Sequence, residues 1–181
     1  GSQGSLMSFV TVEKPRPYIT LITLNRPERM NAMAFDVMVP FKEALDEVSF
    51  DNDTRVVIVT GAGAGFCSGA DLEDPGWLDI FNGLSIPGIA RRAMRILDDV
   101  VKAIHTMHQP VIGAINGPAV TGGFELALAC DLLVAAPSAR FADTHGRVGS
   151  KTWPAASEVR LRERTRRATD RDRPTDQTRT R

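Results

Sequence analysis

The chain has 181 residues, with 22 Lys plus Arg against 22 Asp plus Glu, so its formal charge is zero. Hydrophobic residues make up 43%, enough for a packed core, which excludes a wholly disordered chain. The zero balance argues against a nucleic-acid binder. The absence of any apolar run near the roughly 18 residues of a bilayer span argues against a membrane protein. Cys67 and Cys130 show no metal or disulfide spacing, so the expectation is no metal and a soluble, cytoplasmic, reducing setting.

Gly1 to Leu6, before Met7, reads as an expression-tag remnant, and no signal peptide is expected. Phe9–Glu13 and Tyr18–Leu24 are predicted strands, broken at Lys14-Pro15-Arg16-Pro17. The second alternates, with Ile19, Leu21 and Thr23 on one face and Thr20, Ile22 and Leu24 on the other. Ala34–Val48 is a predicted helix whose apolar positions are Val37, Val39, Phe41, Leu45 and Val48, with Pro40 expected to disturb its first turn or kink it. Val56–Val59 has the β-branched run of a strand buried on both faces.

A glycine-rich stretch runs from Gly61 to Gly69. Pro87–Met107 carries the clearest helical stripe, through Ile89, Ala93, Ile96, Leu97, Val100, Val101 and Ile104. Val111–Ile115 is another buried strand, Gly117–Gly123 a second glycine loop, Phe124–Ala129 a short helix and Leu132–Ala135 a further strand. Strands alternating with helices predict an α/β layered domain.

The zero charge hides an asymmetry. Residues 1–150 hold 12 basic and 17 acidic side chains, and residues 151–181 hold 10 basic and 5 acidic. The expected organisation is a remnant over 1–6, a folded core over 7–149 and an atypical arginine-rich tail over 150–181. That tail is expected to be largely disordered, because it has almost nothing to bury.

Each glycine loop follows a buried strand and is expected to open a helix. A helix N-terminus presents unpaired N–H groups and the positive end of a dipole. Two such turns facing each other would make an oxyanion hole from main chain alone, whereas a single loop reads equally as a tight turn. Gly61-Ala62-Gly63-Ala64-Gly65 lacks the spacing of a dinucleotide fingerprint. Gly65-Phe66-Cys67-Ser68-Gly69 also reads as a nucleophile elbow with Cys67 as nucleophile. His105 and His108 have the spacing of a metal pair but no third ligand nearby, and a helix C-terminus explains them better.

Three blocks in order are far more specific: Asn25-Arg26-Pro27-Glu28-Arg29-Met30-Asn31-Ala32, then Phe66-Cys67-Ser68-Gly69-Ala70-Asp71-Leu72, then Asn116 through Asp131 with Thr121-Gly122-Gly123-Phe124-Glu125 at its centre. With Ala139–His145 they resemble the crotonase, or enoyl-CoA hydratase/isomerase, superfamily over about residues 8–149. The resemblance implies a spiral of ββα units lacking most of the family's C-terminal helical region, and a trimer or hexamer left in doubt by that lack. It implies an acyl-CoA thioester as substrate, with coenzyme A part of the substrate and no separate cofactor. By motif position, Ala70 and Gly122 supply the oxyanion N–H groups. Glu125 matches one of the family's two acid/base residues, and His145 stands where the second glutamate falls. Arg29, Met30, Ala32, Gly69, Asp71, Leu72 and Gly123 fall at substrate-binding positions. The implied activity is hydration of a 2,3-double bond. Isomerisation of the double bond and an inactive acyl-CoA-binding remnant are the alternatives.

Overall fold

The structure, a computed structural model, describes residues 9–71, 73–74 and 87–144, of which 87–94 are described by their helical backbone alone. All lie in the first of two compact units, Gly1–Thr144. Residues 1–8, Leu72, residues 75–86 and residues 145–181, with His145 the first of them, are outside the described residues.

Strands β1 (Val10–Arg16), β2 (Ile19–Leu24), β3 (Val56–Gly61), β4 (Val111–Ile115) and β6 (Leu132–Ala135) form one sheet in the order β1-β2-β3-β4-β6. Only β1 and β2 are antiparallel; the other neighbours are parallel. Helix α1 (Phe35–Ser49) follows β2, α2 (Pro87–Thr106) precedes β4, and α3 (Gly122–Ala129) follows the short strand β5 (Pro118–Val120). Strand β7 (Arg140–Ala142) closes the described chain and pairs with β5.

The chain crosses repeatedly between two layers. After β2 it touches a second layer at Met33, bridged in parallel to Ala70. After β3 it does so at Cys67, bridged in parallel to Ala119 of β5. After β4 it continues into β5, and after β6 into β7. Each turn therefore adds one strand to the large sheet and a short segment to the second layer, which is the ββα spiral expected from the motifs. Parallel neighbours require crossovers, and helices supply them.

One face of the sheet is covered over its central strands β2, β3 and β4. Ile22, Leu24, Val57, Val59, Val111 and Ile115 are buried there with Val37, Phe41 and Leu45 of α1 and Val100 and Ile104 of α2. In β2 the buried set is Thr20, Ile22 and Leu24, as the alternation requires.

Three expectations need correction. Strand β1 runs through Pro15 instead of breaking before it, with a register irregularity between Glu13 and Arg16. An edge strand tolerates a residue without an N–H, and β1 is an edge. Helix α1 runs through Pro40 over the expected span, but its buried face is Val37, Met38, Phe41, Ala44, Leu45 and Val48, while Val39 is 41% exposed. A spacing of four residues, not two, keeps a side chain on one helical face. Strand β3 alternates buried and half-buried residues, so only one of its faces is closed.

The turn after α1 is held by charge. Asp51 accepts hydrogen bonds from Thr54 Oγ1 at 2.7 Å and the Asp53 amide at 3.0 Å, and Lys14 Nζ stands 2.6 Å from it. The Lys14 hydrogen bond, then those of Thr54 and Asp53, lower its pKa from 3.8 to about 2. A carboxyl depressed in the folded state stabilises above its unfolded value and loses that contribution as pH falls. Denaturant midpoints are thus expected to fall between pH 4 and 2, and Asp51→Asn to flatten part of that slope; an unchanged slope would contradict this reading.

Candidate active site

The two glycine loops meet. Segment 69–71 lies beside Met33: Met33 N donates to Gly69 O at 2.7 Å and Asp71 N to Met33 O at 3.2 Å. In this parallel bridge Met33 uses the groups on either side of Ala70, so the Ala70 N–H points away from Met33. Gly69 takes φ +88°, a left-handed conformation. A Cβ built on it would stand 3.3 Å from Gly122 N and 2.8 Å from Val120 O. Ala70 and Gly122 therefore belong to abutting backbone segments, and neither N–H has a hydrogen-bond partner among the described residues.

Gly122 opens α3, two residues earlier than the periodicity suggests. Its N–H is one of the orphan donors of that terminus. Glu125 sits in the same first turn, is half-buried, and its own N–H bonds Thr121 O at 2.9 Å. Gly123 presses on the other loop: a Cβ there would stand 2.0 Å from Cys67 O. The first loop also reaches a turn, at Glu73 and Asp74, and residues 75–86, between that turn and α2, lie outside the described residues.

Arg29, Met30, Ala32, Ala70 and Asp71, all named from the sequence, line one open depression of about 280 Å³. Gly122, Gly123 and Glu125 do not line it and join the site through the Gly69–Gly122 contact. Leu72 and His145, the remaining sequence-predicted positions, are outside the described residues.

Asp71 is almost fully buried, with Arg26 Nη1 on one carboxylate oxygen and Arg29 Nη2 on the other, each at 2.9 Å. Burial raises its pKa, but the Arg29 hydrogen bond, the Glu73 amide and the two guanidinium charges outweigh it, and the net shift is downward. The Asp71 and Glu73 hydrogen bonds raise the pKa of Arg29. Arg29 is thus engaged by two carboxylates.

Two asparagine side chains tie the first loop down, and sequence reasoning assigned them no role. Asn31, fully buried at φ 54°, donates to Ala62 O and Gly65 O at 2.9 Å and accepts from Arg26 N at 2.9 Å. Asn116 donates to Gly63 O at 3.0 Å and Gly65 O at 3.2 Å. Their presence inside motif blocks beside glycines was the available signal. Thr121 was also missed: it holds φ 49° and ψ −110°, a strained backbone that costs of order 1–3 kcal/mol for a non-glycine residue.

The nucleophile-elbow reading of Cys67 fails. The residue has no exposed surface, is bridged to β5, and burial pushes its thiol up to about 12. A thiol held protonated and out of solvent is not a nucleophile. Cys130 is buried as well.

The profile of the enoyl-CoA hydratase/isomerase family matches residues 16–165. A "probable enoyl-CoA hydratase" of Mycobacterium bovis is 58% identical over 137 residues, 76% of this chain and 48% of that protein. A crystal structure of a "probable enoyl-CoA hydratase/isomerase" from Mycobacterium abscessus superposes with a TM-score of 0.74 at 50% identity, covering 91% of this chain and 61% of the other. One of a "monofunctional enoyl CoA isomerase" from M. smegmatis gives 0.64 at 44% identity, covering 91% and 65%. The chain spans about half the length of the curated relatives it matches. With its motifs, its spiral of paired layers and these likenesses, the chain belongs to the enoyl-CoA hydratase/isomerase family, and its fold is the crotonase fold.

Proposed function

We propose that the chain binds an acyl-CoA thioester and hydrates its 2,3-double bond. The thioester oxygen accepts hydrogen bonds from Ala70 N–H and Gly122 N–H. Glu125 takes a proton from water as the hydroxyl adds to the β-carbon. The displaced electron pair moves onto the thioester oxygen as an enolate, and a proton delivered to the α-carbon completes the addition. His145 is the residue proposed for that delivery. Coenzyme A enters as part of the substrate, and Arg29, Met30, Ala32 and Asp71 line its proposed approach.

One observation carries this reading: two abutting glycine turns in which the Ala70 and Gly122 N–H groups have no partner among the described residues. Preorganised donors of this kind, aimed at developing charge in a dry site, lower a barrier by several kcal/mol. A second reading is proton transfer between carbons, which moves the double bond. It draws on the likeness to the M. smegmatis isomerase and uses the same two donors and Glu125.

The test is loss of the crotonyl-CoA double-bond absorbance, with Glu125→Gln beside the parent. Turnover by the parent alone supports hydration. A shifted double bond without added water supports isomerisation. Thioester binding without turnover indicates a binding protein, and no binding at all defeats the proposal.

A further inference from the structure

Thr121 is the residue whose backbone aims Gly122. Its ψ and the φ of Gly122 flank a single peptide plane, and a peptide is rigid, so the ψ of −110° sets where the Gly122 N–H points. Threonine is β-branched, and a β-branched residue at φ 49° is a true outlier. Such a conformation persists only where its surroundings over-determine it.

Those surroundings are β7 and the residues that follow it. Thr121 N donates to Ala142 O at 2.7 Å, the bond that closes the last pair, Val120 with Ala142, of the β5–β7 ladder. The Thr121 hydroxyl meets the Thr144 hydroxyl in a short hydrogen bond, and Thr144 N reaches Thr121 Oγ1 at 3.4 Å. Helix α3 holds the next group, with Glu125 N on Thr121 O. The ladder and the helix bond are main-chain contacts and survive any side-chain change. The hydroxyl pair does not, and the ladder does not require it.

We infer that the Thr121–Thr144 hydroxyl pair is a positioning device for the Gly122 N–H, bracing the strained turn so that this donor stays aimed beside Ala70. The inference rests on the reading of Ala70 and Gly122 as donors to a thioester oxygen. Neither threonine is a catalytic residue here; both act through the Gly122 peptide.

The experiment compares the affinities of acetoacetyl-CoA, whose enolate loads the donors with negative charge, and butyryl-CoA, which presents a neutral thioester. Thr144→Val and Thr121→Val each remove one hydroxyl from the pair, and Thr121→Ser restores it without the methyl. The acetoacetyl-to-butyryl preference is expected to fall about tenfold in each valine variant, a change of about 1.4 kcal/mol. Butyryl-CoA affinity and the thermal midpoint should stay close to the parent's, and Thr121→Ser should keep the parent's preference. An unchanged preference in either folded valine variant overturns the inference alone, and so does an equal loss of both ligands. A parent that shows no preference overturns the donor reading and this inference with it.

Discussion

Gly123→Ala is expected to destabilise the chain by about 3 kcal/mol or more, lowering the thermal midpoint by roughly 6–12 °C. The added methyl would stand 2.0 Å from Cys67 O and 2.7 Å from Cys67 C, both backbone atoms of the other loop. Helix propensity alone predicts the opposite sign, since alanine is better than glycine inside a helix by about 1 kcal/mol. The contact decides, because main chain cannot rotate away as a side chain can. Its neighbour supplies the control. A Cβ on Gly122 meets Met33 Sδ at 2.8 Å, the flexible end of a side chain that can move. Gly122→Ala should therefore be the milder of the two, although both sit in the first turn of α3. Thermal melts of both variants check this, and equal midpoints would mean that the loops are not pressed together at Gly123.

Glu125→Gln is expected to lower crotonyl-CoA turnover by about 10²–10⁴-fold, the range of a lost general acid/base. The side chain keeps its shape, so thioester affinity by calorimetry should stay within a few fold. Glu125 lies one helical turn from the Gly122 donor, on the rigid start of α3. A carboxylate there interacts favourably with the helix dipole, and the amide has no base to offer water. Full activity in the variant would remove Glu125 from the chemistry while leaving the oxyanion donors untouched.

The large elements were legible because each buries a repeating face. β2, β3 and β4 show their strand character in five or six residues, and α1 and α2 show theirs over fifteen and twenty. The second layer was not legible. It is made of β5 and β7, three residues each, and of single bridges at Met33 and Cys67, too short to show any period. Pro15 misled because the rule that proline ends a strand gives way at a sheet edge.

The site divides in the same way. The glycine turns and Glu125 could be named from motif order, since they are contiguous in the chain. The ties that hold them could not. Asn31 and Asn116 reach the loop of residues 61–65 across 31 to 53 positions, Asp71 reaches Arg26 across 45, and Thr121 reaches Thr144 across 23. Strain at Thr121 had no sequence signal at all, because threonine is an ordinary residue until its φ is seen.

The most direct measurement is a crystal structure of the chain with acetoacetyl-CoA bound. Its thioester oxygen is expected within about 2.7–3.1 Å of both the Ala70 and Gly122 nitrogens. A bound thioester whose oxygen meets neither nitrogen, or only one, would contradict it.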